Sequence, residues 1–305
     1  MRKTEGIIKF RCLQKIRHIR WKWNKRSTTN TGHEPPKKKK APKIFKTDIT
    51  EDIAQGDMTE NEAVEAMKQE LEKPKKEQNK ALILKVQRRT FNKRRQFLPS
   101  VRDGDLQCIV QKYPVLSYPE FIHKEFEILK PELKKEVLTD RWTDMLRILD
   151  EILNTDQESD IEDDDVNKDG DMAILTVLKA VEVQIQYKTK KEADLISLVN
   201  VKNPVLTTKA SSPPRAVILQ NEDGTVNSCY VVGDKLEFRV GKDIKELLQF
   251  LLMIYYVFDM NYPKCYQLLG FLQVALFRDS APFFRCSRFS KFEKEYVDKR
   301  DSANV

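Results

Sequence analysis

A run of acidic residues contains the spacing nearest to a metal-binding pattern in this 305-residue chain. The segment from Asp165 to Asp171, DVNKDGD, matches the first half of an EF-hand loop, in which side-chain oxygens coordinate calcium. The second half departs from the pattern, because Ala173 and Thr176 stand at the ninth and twelfth positions, where the twelfth should be a bidentate glutamate. We therefore predict no metal site and no cofactor.

The positions of glycine, cysteine and histidine exclude several catalytic classes. The 9 glycines are too widely separated for a P-loop, a dinucleotide-binding fingerprint or a nucleophile elbow. The 5 cysteines include no C-x-x-C pair, so a zinc module or a disulfide framework is not indicated and a reducing compartment is favoured. His123 has no partner at ligand spacing and is interpreted as structural. We expect no catalytic residue and no enzyme activity.

Positive charge is concentrated at one end of the chain. Residues 1–100 carry 27 Lys and Arg against 12 Asp and Glu, whereas the other residues carry 28 against 35, within a formal net charge of +8. A basic N-terminal third is typical of proteins that contact nucleic acid or other anionic partners without sequence readout.

The first residues admit three interpretations. Residues 7–23, IIKFRCLQKIRHIRWKW, place isoleucines and a tryptophan on one helical stripe among basic residues. This pattern is typical of a basic amphipathic helix for a membrane surface or calmodulin, of a mitochondrial presequence, or of a solvated tail, with or without nucleic-acid contact.

A lysine run between prolines follows, in the segment PPKKKKAPK. Such a run predicts a nuclear-localisation signal, because an import receptor reads exposed point charges on an extended chain. The residues of this predicted signal are Lys37, Lys38, Lys39, Lys40 and Lys43. A plain basic linker is the alternative. We expect a nuclear protein, with mitochondrial or cytoplasmic localisation as alternatives.

A second basic cluster lies at the end of a predicted helix that runs from about Gln78 to Phe97. Its sequence RRTFNKRRQF interleaves aromatic residues with cations, a composition that suits phosphate contacts. The candidate nucleic-acid-binding residues are Arg88, Arg89, Lys93, Arg94 and Arg95. The alternative is a solvated helix end, where basic side chains complement the helix dipole.

Hydrophobic periodicity predicts a mainly helical α+β fold. A helical bundle unit should begin at the capping box formed by Thr59 and Glu62. Beyond the acidic segment, β-rich runs joined by Asp-Gly and Gly-Asp turns predict a small antiparallel meander. The apolar stretch from Asp243 to Phe277 predicts a C-terminal helix pair that covers the meander. The apolar runs of this stretch are too short for a membrane span.

The expected domain organisation follows the changes in composition. The predicted parts are a disordered basic arm (1–58), a helical domain (59–154), an acidic linker (155–171), an α+β domain (172–278) and a disordered tail (279–305).

Several segments resemble those of a known family. The most specific are Arg89 to Arg95, Tyr113-Pro114, Glu125-Phe126, Tyr262-Pro263 and Phe271-Leu272-Gln273. These residues are similar to a large vertebrate family, abundant in fish, whose members are often labelled sterile alpha motif domain-containing protein 3-like. The resemblance covers about residues 60–278, and the family implies no activity for any named residue. We find no sterile alpha motif in the sequence, so a function of that module is not expected here.

These patterns predict a non-enzymatic interaction or adaptor protein. The basic arm would supply nuclear targeting and nonspecific nucleic-acid affinity, and the folded body would bind a protein partner whose identity the patterns do not indicate. The alternatives are a degenerate, transposon-derived, nuclease-like enzyme and a mitochondrial protein with a basic presequence.

Overall fold

The computed structural model describes residues 59–102, 105–154, 170–187, 194–202, 206, 208–279 and 283–303. The predicted basic arm with its nuclear-localisation lysines lies outside the described residues, as do residues 155–169 of the predicted acidic linker. The described residues form α-helices and a four-stranded sheet. The predicted fold class, mainly helical α+β, is therefore confirmed.

The first two helices are α1 (Glu60–Glu72) and α2 (Lys80–Phe97), which pack against each other. The predicted capping box is present: the Thr59 hydroxyl accepts the Glu62 N–H at 3.4 Å, and the Glu62 carboxylate accepts the Thr59 N–H at 2.5 Å. Lys73 is extended because Pro74 follows it, and α1 ends there.

Four further helices complete the part before the sheet. Asp105 caps the first of them by accepting the Cys108 N–H at 3.1 Å, and Pro119 starts the second, at a position whose N–H would have no intrahelical partner. These helices are α3 (Leu106–Lys112), α4 (Pro119–Leu129), α5 (Lys135–Asn154) and α6 (Asp171–Ile185). Two 3-10 turns, Leu98–Ser100 and Pro114–Ser117, connect the helices around α3.

The sheet consists of β1 (Ile196–Asn200), β2 (Arg215–Gln220), β3 (Val226–Gly233) and β4 (Leu236–Gly241), hydrogen-bonded in that order. The predicted antiparallel meander is present as β2, β3 and β4. The parallel pairing of β1 with β2 was not predicted, because one short apolar run does not reveal a distant partner.

The C-terminal helices are α7 (Ile244–Val257), α8 (Gln267–Leu272) and α9 (Ser287–Ser302), with a π-helical turn at Gln273–Phe277. Asp243 is the N-cap of α7 and accepts the N–H groups of Lys245 at 2.6 Å and Glu246 at 3.1 Å. No described helix has the length and apolarity of a membrane span.

The predicted separation into a helical domain and an α+β domain is wrong, because one main hydrophobic core, from Ala63 to Tyr296, contains residues of both parts. Among the described residues, only a small cluster is separate from it, formed by Val217, Leu219 and Val232. Helix α7 is the shared element. On one side it packs on the sheet, where Phe250 meets Phe238 with ring centroids 5.9 Å apart. On another side α7 packs against α4. A helix that is apolar around most of its circumference needs partners on several sides, and the sheet alone covers only one.

The prediction of a disordered tail at 279–305 is also wrong, since Ser287–Ser302 form helix α9. Three aromatic residues at helical spacing, Phe289, Phe292 and Tyr296, are buried. Phe271 of α8 contacts two of them, with ring centroids 5.4 Å from Phe292 and 5.0 Å from Tyr296. The many charges of α9 obscured this narrow apolar face in the sequence.

A single core predicts a single unfolding transition. In a background with Trp21 and Trp23 replaced by Phe, Trp142 of α5 is the one remaining tryptophan. We expect Phe250→Ala to lower the free energy of unfolding by about 3 to 5 kcal/mol, because a buried ring leaves a cavity. In urea unfolding, the transition followed by Trp142 fluorescence and the transition followed by circular dichroism should move to lower urea concentration by the same amount.

The matched control is Val183→Ala on α6, where the side chain is 68% exposed and truncation should change stability by less than about 0.5 kcal/mol. A Trp142 transition that stays in place while circular dichroism shifts would contradict the single core.

Candidate nucleic-acid interface

Helix α2 contains all five residues predicted to bind phosphate, and it carries no acidic residue. The structure divides these five into two groups. Arg94 and Arg95 point into the fold, whereas Arg88 and Lys93 are exposed and Arg89 is half-buried.

Arg94 is completely buried and forms an ion pair with Glu125 of α4, whose side chain is 2% exposed. The guanidinium meets the carboxylate through two bonds, Nε to Oε1 at 3.1 Å and Nη2 to Oε2 at 2.5 Å. Its remaining donors reach the Gln87 carbonyl at 2.7 Å and the Thr90 hydroxyl. Because the buried charge is paired and bonded on every nitrogen, it is compatible with the core.

Gln87 supports the same carboxylate from α2. Its amide donates to Glu125 Oε2 at 3.0 Å and to the Phe121 carbonyl at 2.8 Å. The Arg94 cluster, defined as Gln87, Thr90, Arg94 and Glu125, therefore joins α2 to α4 and sets how α2 is rotated about its axis.

Arg95 bonds to the C-terminal end of α7. Its Nη1 donates to the carbonyls of Tyr256 at 3.3 Å and Val257 at 3.0 Å, and its Nη2 lies 3.5 Å from Asp259. A cation at this position is favourable, because the carbonyls at a helix C-terminus lack intrahelical partners and carry partial negative charge. Burial lowers the pKa of Arg95, and the nearby Asp259 carboxylate opposes that shift.

Arg94 and Arg95 are therefore structural, and the prediction that they bind phosphate is wrong for Arg94, which has no exposed surface. Sequence spacing did not separate them from their neighbours. The one available signal was periodicity, since Arg94 lies three and four positions after the apolar Phe91 and the buried Thr90, on the inward side of the helix.

The opposite side of α2 presents the other cations. We define the basic face as Lys85, Arg88, Arg89 and Lys93, which lie on one side of a helix with 3.6 residues per turn. Lys85, Arg88 and Lys93 are exposed, and none forms an ion pair of 4 Å or less with a described residue. From Lys85 to Lys93 the face extends about 12 Å along the helix axis.

One acidic residue of α1 lies near this face. Glu62 has a lowered pKa, mainly because its carboxylate accepts the Thr59 N–H and with a smaller contribution from the charge of Arg89. Arg89 is therefore the member of the basic face whose charge is partly compensated within the protein.

Two open clefts lie elsewhere on the described surface. The first, about 390 Å³, lies between the C-terminal ends of α5 and α9 and is lined by Arg147, Glu151, Asp298, Lys299, Ser302 and Ala303. The second, about 430 Å³, follows strand β4 and is lined by Lys75, Pro119 and residues Glu237 to Gly241. Both are lined largely by charged side chains and strand backbone.

Three side chains with acid, base or nucleophilic chemistry, Asp279, Tyr256 and Cys229, are buried or half-buried in the fold. The Asp279 carboxylate accepts from Lys130 at 2.7 Å and from the Tyr256 hydroxyl at 2.9 Å, and burial raises the pKa of Tyr256. Burial also raises the pKa of the Cys229 thiol to about 12. His123 packs on Phe250 with ring centroids 5.2 Å apart, and desolvation lowers its pKa.

Within the described residues, no three acidic, histidine or cysteine side chains are arranged to hold a metal ion. Most of the half EF-hand pattern, residues 165–169, lies outside them, and Asp171 is the first residue of α6.

Comparison with known proteins gives no relative: no family model, no curated protein and no solved structure matches this chain. The resemblance to the sterile alpha motif domain-containing protein 3-like family stays a prediction.

The Arg94 cluster generates a stability prediction. Replacing Arg94 by Met leaves the Glu125 charge buried and unpaired, so we expect the free energy of unfolding to fall by about 3 to 5 kcal/mol. The double replacement Arg94→Met with Glu125→Leu removes both charges and should recover most of that loss. Urea unfolding measures both effects.

The exposed pair of Arg147 and Glu151, whose side chains are 49% and 47% exposed, provides the control. Arg147→Met should cost less than about 1 kcal/mol. Additive losses in the Arg94→Met and Glu125→Leu double variant would contradict a coupled pair.

Proposed function

We propose that this chain is a non-enzymatic nuclear interaction protein that binds nucleic acid without sequence specificity. The basic arm of residues 1–58 provides targeting and electrostatic affinity, and the basic face of α2 adds a fixed contact surface. The folded body engages a protein partner. The observation that carries the nucleic-acid part is the basic face, three of whose cations have no ion-pair partner among the described residues.

Electrostatics supports this proposal. A polyanion surrounded by condensed counterions gains affinity for clustered cations, because each neutralised phosphate releases ions to solution. Helix α2, which has no acidic residue, provides such a group of cations. The Arg94 cluster fixes the rotation of α2, so the cations of the basic face point outward. A helix that is already ordered loses less conformational entropy on binding than a flexible tail does.

Sequence-independent binding follows from the kind of contact. Lys85, Arg88 and Lys93 lie on one continuous helix without an attached recognition unit of helix-turn-helix or finger spacing. Their contacts are therefore expected to be with phosphates, which carry no direct sequence information.

The salt dependence of DNA binding tests the basic face. We expect the full chain to bind a random-sequence duplex with an affinity that falls as salt rises. The triple variant Lys85→Ala, Arg88→Ala and Lys93→Ala should flatten the slope of log K against log salt by about 2 to 3, close to 0.9 for each lost phosphate contact. Fluorescence anisotropy titrations at several salt concentrations measure this slope.

A matched control removes three cations from α9 instead. Arg288, Lys291 and Lys294 are exposed, but Glu293 and Glu295 lie among them, so their replacement by Ala should change the slope by less than about 1. Both variants keep the basic arm and lose the same net charge. Equal slope changes in the two variants would mean that net charge, not the basic face, determines binding.

Localisation tests the role of the arm. A fluorescent fusion of the full chain should be nuclear, and changing Lys37 to Lys40 to Ala should release it to the cytoplasm, because the import receptor loses its point charges. The control replaces four lysines of the folded body, Lys75, Lys76, Lys291 and Lys294. A mitochondrial signal that is unaffected by either change would contradict nuclear targeting and favour a presequence.

A further inference from the structure

Strand β4 is an edge strand whose backbone orientation follows from the turn that precedes it. Asp234 and Lys235 both have positive φ, 44° and 64°, so they form a two-residue type I′ turn between β3 and β4. In such a hairpin the residues that flank the turn, Gly233 and Leu236, are a hydrogen-bonded pair.

Alternation along the ladder then assigns the residues of β4 as far as Arg239, beyond which a bulge at Val240 shifts the register. The pairs of Val232 with Glu237 and of Tyr230 with Arg239 are non-hydrogen-bonded. The N–H and C=O groups of Glu237 and Arg239 therefore point away from β3, toward the open edge of the sheet. Neither residue forms another backbone hydrogen bond within the described part of the chain.

Strand β4 is the last strand of the sheet, and an open cleft of about 430 Å³ is lined by its residues Glu237 to Gly241 together with Lys75 and Pro119. An edge strand whose outward backbone groups have no partner in the described chain is a template for strand addition.

The side chains of β4 specify which strand fits. In the sequence LEFRV, an antiparallel copy centred on Phe238 places Glu237 opposite Arg239 of the copy, and Leu236 opposite Val240. Glu237 and Arg239 are exposed on the same face of the sheet, so two opposite-charge pairs form across the dyad. A register centred on Glu237 or on Arg239 would instead place like charges together.

The backbone requires the same register. Antiparallel strands hydrogen-bond through directly opposed residues whose polar groups face each other. Centred on Phe238, the outward-facing groups of Glu237 meet those of Arg239 in the copy, which makes four backbone hydrogen bonds, two for each pair.

We propose that the chain forms a two-fold symmetric dimer in which β4 pairs with β4 of a second copy, with Phe238 at the dyad. The two four-stranded sheets then form one continuous sheet. Charged side chains on an edge strand discourage pairing with unrelated strands, and here their order favours the same strand in a second copy.

Charge reversal provides the test. Sedimentation equilibrium of the full chain should detect a monomer–dimer equilibrium. Arg239→Glu places two glutamates opposite two glutamates and should weaken dimerisation by roughly tenfold or more, and Glu237→Arg should act likewise. The swapped double variant, Glu237→Arg with Arg239→Glu, restores both opposite-charge pairs and should restore the dimer.

Mixing the two single variants gives a second, independent outcome. Each variant opposes self-association, but one copy of each places arginines opposite glutamates, so the mixture should form heterodimers. Arg288→Glu on α9 is the control with the same charge change and should leave the dimer intact.

Three results would overturn the proposal. The full chain could be monomeric at every concentration, which would leave the edge to an extended segment of another protein. A dimer insensitive to Arg239→Glu would use another surface. A dimer that neither the swapped variant nor the mixture restores would not have the register centred on Phe238.

Discussion

The ion pair between Arg94 and Glu125 is the constraint on which the first half of the fold depends. Two charges removed from water are tolerated only when attraction and hydrogen bonds offset their desolvation, and this cluster provides both. Hydrophobic burial by itself is non-directional and would accept several rotations of α2. The bidentate contact accepts one, and the basic face is directed outward as a consequence.

The neighbouring residue extends this constraint to the rest of the molecule. Arg95 reaches carbonyls at the C-terminal end of α7, and α7 covers one face of the sheet. Two successive arginines therefore connect α2 to α4 through a carboxylate and to α7 through helix-end carbonyls. The apolar core stabilises the assembly, while these polar contacts determine which helix faces meet.

The two surfaces considered for binding arise from positions that the core does not use. On α2, inward positions are filled by apolar groups and the Arg94 cluster, so the remaining cations face solvent. On β4, the type I′ turn and its ladder orient half of the backbone groups toward β3 and the other half outward. Folding therefore leaves two sets of polar groups available for binding: the cations of the basic face and the outward N–H and C=O groups of β4.

Features that depend on interactions between residues close in sequence were predictable without the structure. The capping box at Thr59 and the antiparallel meander depend on residues that are close in sequence, and the structure confirms both. The apolar stretch from Asp243 to Phe277 predicted helices α7 and α8, because a long apolar run in a charged chain must be buried in a core.

Side-chain burial and strand pairing that depend on residues distant in sequence were known only from the folded chain. Arg94 is buried because Glu125, 31 residues away, pairs with it. Arg94 and Lys93 are adjacent basic residues, yet one is buried and the other is exposed. The same limit applied to β1, whose partner β2 is remote, and to α9, whose three aromatic residues are buried only when α5, α6 and α8 pack against it. Periodicity reports which side of an element is apolar, and only the folded chain supplies what that side contacts.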